Sequence, residues 1–208
     1  MSKEYEPRIY VACLASYNNG VLHGDWIDLE GKDEDEVQEA INVILRSSQF
    51  PNVEVECPEC KDGGDLWKET CPMCKATGKV SSAEEWAIHD FEGFGSIKLG
   101  EYEGISEVVE LAQKLEEHGE IFEVAYDNFG DVDEAIKAVD EDFHGEHKSL
   151  EDYVQEFYEE NYSDVMKNLP DALRYHIDWE GVARDWEIGG DVWTAELEDG
   201  NVAIFNNH

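Results

Sequence analysis

Apolar and polar positions alternate along this chain with two periods, and the changes of period mark its elements. Arg8 to Leu14 is a β-rich run, Asn18, Asn19 and Gly20 mark a turn, and Val21 to Leu29 reads as the returning strand of a hairpin. Asp33 with Glu36 three residues on has the spacing of a helix capping signal. Behind it Val37, Ala40, Ile41, Ile44 and Leu45 form a helical stripe. Pro51 ends that region, and Val53 and Val55 begin an extended run that a cysteine-bearing insert interrupts at once. Order resumes from Ser82 to Phe94. Three further stripes at helical spacing follow: Ile105, Val108, Val109, Ala112 and Leu115; Val132, Ala135, Ile136 and Val139; and Leu150, Val154, Phe157 and Tyr158. Ser149 with Asp152 caps the last of these, which runs to about Asn161, and Asp178 caps another helix. Trp193 to Leu197 and Val202 to Phe205 flank Asp199 and Gly200 as a C-terminal hairpin.

Composition supports a folded chain. With 208 residues, 41% hydrophobic and 11% aromatic, it can build one to three small domains with real cores. The start, Met-Ser-Lys-Glu, does not read as a secretory signal, and no apolar run is long enough to span a bilayer. The expected location is the cytoplasm.

Charge changes the picture more than anything else. Formal net charge is −36, far beyond what solubility asks, because like charges at this density work against the compact state. The acids concentrate between Glu101 and Asp164, where 22 Asp and Glu stand against three lysines and no arginine. They fall between the apolar stripes at steps of three or four: Glu103, Glu107 and Glu110, then Glu117, Glu120, Glu123, Asp127 and Asp131. On a helix such a step repeats about every 5 Å along one face. DNA phosphates have a comparable pitch along one strand, with one charge per about 1.7 Å of axis over both strands. Nucleic acid and anionic membranes are thereby excluded as partners. A basic partner, or a groove built for nucleic acid, is favoured. A halophile surface is the plain alternative, but the chain keeps 11 lysines among its 15 basic residues and its charge is uneven along the sequence. No Ca2+-loop pattern occurs.

The insert carries its own chemistry. Cys57-Pro-Glu-Cys60 and Cys71-Pro-Met-Cys74 supply four thiols at the spacing of a structural zinc site, the number that tetrahedral Zn2+ takes. Gly63, Gly64 and Gly78 suit the tight turns that aim backbone N–H groups at sulfur. Two disulfides are the alternative, which a chain without a secretory signal disfavours. The two repeats resemble the C-x-x-C-x-G-x-G units of the DnaJ zinc-finger region, with Asp62 and Ala76 in place of the first glycine. The fifth cysteine, Cys13, reads as a reduced core residue.

Three blocks carry a second resemblance: Arg8 to Leu29 (RIYVACLASYNNGVLHGDWIDL), Glu84 to Gly95 (EEWAIHDFEGFG) and Tyr175 to Thr194 (YHIDWEGVARDWEIGGDVWT). In content and order they resemble the N-terminal, middle and C-terminal hallmarks of the ArdA antirestriction proteins, and the four-cysteine insert is a departure from compact members. The resemblance implies a DNA mimic from a mobile genetic element, an elongated dimer that fills the DNA-binding groove of Type I restriction–modification enzymes. The implied fold class is α+β, an elongated array of three small domains. These are an N-terminal α+β domain at 1–103 with the zinc-ribbon-like insert at 51–80, an acidic helical domain at 104–142, and a C-terminal α+β domain at 143–208. The mimic surface would comprise Glu103, Glu107, Glu110, Glu117, Glu120, Glu123, Asp127, Asp131, Glu134, Glu156, Glu159 and Glu160. The resemblance also places the subunit contact near residues 165–177. Val165, Leu169, Leu173 and Ile177 are apolar there and Arg174 is a rare cation. Packing within their own domain is the other use for those side chains.

No nucleophile elbow, P-loop or dinucleotide fingerprint is present, and no carboxylate dyad stands out where carboxylates abound. His144 and His147 lack the spacing of a metalloprotease helix and read as a polar strand end. An enzyme is not expected. Two function classes remain: a stoichiometric DNA-mimic inhibitor, and a zinc-ribbon adaptor for a protein partner whose acidity serves solubility.

Overall fold

The computed structural model describes residues 5–60 and 71–207, so Gly63 and Gly64 lie outside the described residues. Contacts divide the chain between Glu117 and His118 into two compact units. Helices and antiparallel sheets occur in both, and the class is α+β.

In the first unit, β1 (Arg8–Cys13) is the middle strand of an antiparallel sheet and buries Ile9, Val11, Ala12 and Cys13 completely. Its link to β2 (Gly24–Asp28) is not the bare turn expected of a hairpin. Leu14–Asn18 forms a short helix, α1, before Asn19 and Gly20 reverse the chain. Contacts from distant sequence hold that turn: Leu14 N–H donates to Glu85 O at 3.0 Å, and Ser16 Oγ meets Ser48 Oγ at 2.9 Å. Cys13 is a free, buried thiol beside the same pair of serines.

Helix α2 (Glu34–Arg46) begins at the capping box read from the sequence. Glu36 N–H donates to Asp33 Oδ1 at 2.9 Å, and Asp33 N–H returns to Glu36 Oε2 at 3.1 Å. Its stripe buries Val37, Ile41, Ile44 and Leu45 against β1 and β2. Asp33→Ala removes one of these bonds and should lower stability by about 1 kcal/mol, read as a drop in the urea midpoint at unchanged slope.

After α2 the chain forms a separate two-stranded ribbon, β3 (Val53–Glu56) with β4 (Lys79–Ser82), and the insert lies between them. Strand β5 (Trp86–Glu92) then pairs with β1 to complete the order β2-β1-β5. Gly93 follows at φ +80, where a Cβ would sit 2.1 Å from Glu6 O, so glycine is required. Helix α3 (Ile105–His118) buries the predicted stripe together with Leu111.

The second unit runs through α4 (Glu120–Phe129), α5 (Val132–Lys137), a π-helical turn (Ala138–Asp142) and β6 (Phe143–His147). Then come α6 (Leu150–Asn161), α7 (Ser163–Asn168), α8 (Asp171–Arg174), α9 (Trp179–Gly189), β7 (Val192–Glu196) and β8 (Val202–Asn206). Ser149 and Asp178 cap α6 and α9 with their side chains, as expected. The hairpin β7–β8 also forms as expected, and β6 pairs with the other edge of β8 in the order β6-β8-β7. Phe122, Val154, Ile204 and Phe205 are fully buried. Phe205 stacks on Trp193 with ring centroids 4.0 Å apart and meets Phe143 at 5.2 Å. Trp186 packs against Tyr153, Phe157 and Tyr158, which joins α9 to α6 through aromatic rings.

Candidate functional site

Three features stand out: a thiol cluster, a field of exposed carboxylates, and an apolar segment open to solvent.

The β3–β4 ribbon brings its two ends together at Glu56 and Lys79, so the knuckles leave it side by side. Cys57, Cys60, Cys71 and Cys74 are each 5% exposed or less, and their sulfurs all lie within 4.8 Å of one another. Cys57 and Cys71 Sγ stand 3.7 Å apart, Cys60 and Cys74 Sγ 3.4 Å, and none is in a disulfide. Gly78, at φ +72, donates its N–H to Cys74 Sγ at 3.3 Å, the role expected of a glycine after a knuckle. Lys75 and Ala76 also turn left-handed, at φ 52 and 72, to carry the chain around the second knuckle. Desolvation of the packed sulfurs opposes ionisation, yet hydrogen bonds from the Cys60 thiol and Gly78 N–H bring Cys74 down to about 7. Burial and the neighbouring thiols push Cys60 well up. A metal cation would offset the charge of thiolates packed this closely. The cluster is close enough to bind a metal ion. Among the described residues it is the one group of three or more such side chains that converges, and His144 and His147 in β6 have no part in it.

The predicted acids divide into two classes. Glu107, Glu110, Glu117, Asp127, Asp131, Glu134, Glu156, Glu159 and Glu160 are exposed. Several also have local work: Glu117 pairs with Lys114 at 2.7 Å, Asp131 caps α5, and Glu159 accepts from Gln155. The others are drawn inward. Glu103 is half-buried and accepts from Gly100 N–H at 3.0 Å, and Glu120 accepts from Glu198 N–H at 2.6 Å. Glu123 is only 5% exposed, because it lies on the side of α4 that carries Phe122 and Ala125 inward, and so it belongs to no exposed row. The row itself is not continuous. Gly119, at φ +59, ends one helix and starts the next, so the step from Glu117 to Glu120 does not follow one helical face. Exposed acids that the sequence reading left out include Glu180, Asp185 and Glu187 on α9. They lie beyond the densest acidic stretch.

Of the four apolar residues placed at a subunit contact, Val165 is 60% and Leu173 59% exposed, while Leu169 and Ile177 are partly buried. Packing within their own unit therefore accounts for only two of them. A concavity of about 590 Å³ adjoins them, lined by Met166, Arg174, Tyr175, Ile177 and Trp179 among others.

Compared with known families, residues 9–199 match the model of the antirestriction protein ArdA. The chain belongs to the ArdA family. The match spans both units and runs across the insert. No curated protein matches the chain. In this ArdA protein the N-terminal block builds β1, α1 and β2, the middle block β5, and the C-terminal block α9 and the start of β7. The family is one of antirestriction proteins rather than of enzymes. No helix among the described residues is long and apolar enough to cross a membrane.

Proposed function

We propose that this ArdA protein is a DNA mimic that occupies the DNA-binding groove of a Type I restriction–modification enzyme and inhibits it stoichiometrically. The observation that carries this reading is a folded scaffold with exposed carboxylates on α3 to α6 and almost no cations to offset them. Each of these helices buries at least one apolar residue, so the anions are presented by ordered backbone instead of a solvated tail. Lys and Arg that grip phosphates in the enzyme would meet carboxylates instead, with electrostatics steering the encounter. On this reading the chain works as three small domains, 1–103, 104–142 and 143–208, in a cytoplasmic homodimer from a mobile element. Inhibition of DNA cleavage by a purified Type I enzyme should rise linearly with added protein and complete at a fixed ratio. Complete inhibition by a small fraction of the enzyme's concentration would indicate turnover and oppose the proposal.

The dimer contact on this reading is the surface of Val165, Leu169, Leu173 and Ile177. Two subunits of charge −36 repel, so salt should strengthen association by screening. A sedimentation series should show the dimer favoured at high salt and lost on Val165→Asp with Leu173→Asp. A monomer at both low and high salt would remove the dimer from the account.

A further inference from the structure

We propose that Cys57, Cys60, Cys71 and Cys74 bind one Zn2+ as a closed four-thiolate centre, and that this ion folds the β3–β4 ribbon as a module on which the rest of the chain does not depend. The geometry sets the nuclearity. A Zn–S bond of about 2.3 Å places the sulfurs of a tetrahedron about 3.8 Å apart. Two pairs here are 3.4 and 3.7 Å apart, and all four sulfurs lie within 4.8 Å of one another. A two-iron cluster would split the sulfurs into two separated pairs, which this packing does not allow. All four positions are sulfur and all are buried, so no coordination site is left open for water or substrate. Such a centre is structural.

Besides contacts between β4 and α2, the ribbon has little else to hold it. Its strands are four residues each, and the partly buried apolar residue packed on the sulfurs is Val80. An isolated two-stranded hairpin is marginal in water. Metal ligation at its open end therefore supplies what a core would supply elsewhere. The three-stranded sheet β2-β1-β5, by contrast, closes its core with α2 and needs no residue of the insert.

Charge sets the insert apart as well. Residues 57–80 carry four lysines (Lys61, Lys68, Lys75, Lys79) against four carboxylates (Glu59, Asp62, Asp65, Glu69), in a chain of net charge −36. Four thiolates around Zn2+ leave a net −2, which Lys75 and Lys79, close in sequence to the second knuckle, can offset. A segment without excess negative charge is also a poor phosphate imitation, so the module lies outside the proposed mimic surface.

The test uses the full chain purified without chelators. Elemental analysis should find one zinc per chain, and exchange for Co2+ should give the intense visible bands of a tetrahedral thiolate site. On chelation of the wild-type protein, amide signals of residues 53–60 and 71–82 should lose protection from hydrogen exchange, while those of β1, β2, β5 and the second unit keep theirs. Cys57→Ser with Cys71→Ser should lose the zinc and retain the far-UV spectrum of the remaining elements. Absence of metal from the purified chain, iron in its place, or a pair of disulfides would overturn the assignment of zinc. Loss of protection throughout the chain on chelation would overturn the independence of the module. Deleting residues 57–80 should leave inhibition of the restriction enzyme intact, and that arm reads the module's role separately from the mimicry itself.

Discussion

Neutralising Glu110, Asp131, Glu134, Glu156 and Glu160 together, as Gln or Asn, should weaken inhibition of a Type I enzyme about a thousandfold, while any one of the five changes should barely register. Losses at separate exposed sites add. All five are exposed, and an exposed ion pair contributes about 0–1 kcal/mol. Five such losses reach several kcal/mol, and each 1.4 kcal/mol is about tenfold in affinity. Asn at 131 preserves the cap on α5, and Gln is close in shape to Glu, so the fold should survive. The association rate should fall along the same series and with added salt. A titration of restriction activity against each member of the ladder reads the effect. A hot-spot interface gives the opposite pattern, with one substitution removing most of the binding. One carboxylate that alone abolished inhibition in a folded protein would sink the distributed mechanism.

Phe205→Ala should destabilise the protein by about 3–5 kcal/mol, the range for removing a buried aromatic ring. Phe205 is fully buried in β8, the middle strand of its sheet, between Trp193 at 4.0 Å and Phe143 at 5.2 Å. The ring joins both neighbouring strands, so its loss leaves a cavity that the sheet cannot close by moving one side chain. A loss of this size is a large share of the 5–15 kcal/mol typical of a domain. Chemical denaturation should show the transition of residues 118–207 moving well ahead of that of the first unit. A shift under about 1 kcal/mol would mean that the ring is not the centre of this core.

What the sequence made legible was local. Asp33 with Glu36, Ser149 with Asp152, and Asp178 each cap a helix through hydrogen bonds spanning three residues, so spacing alone was enough. The same holds for the hairpin around Asp199 and Gly200, and for the cysteines, where two knuckles count out the four thiols that converge. What the sequence concealed depends on distant partners. Nothing near Leu14 announces the helical turn α1, because Glu85 and Ser48, distant in sequence, hold it. The placement of β6 beside β8 joins residues about sixty apart, and no period along the chain encodes it. The acidic row failed at Gly119, where a positive φ breaks the helical phase that the count had carried through. Glu123 shows the same limit in one side chain: its spacing matches the row, but the side of α4 it occupies is turned to the core.

DNA mimicry requires competition between this protein and DNA for one surface of a restriction enzyme. A purified Type I methyltransferase, its DNA duplex and this chain should be titrated together at fixed ionic strength. Mutually exclusive binding is the predicted result: saturating duplex should displace the protein completely, the apparent affinity for either should fall in proportion to the other, and no ternary complex should form. A stable ternary complex, or an affinity for this protein that duplex leaves unchanged, would contradict DNA mimicry.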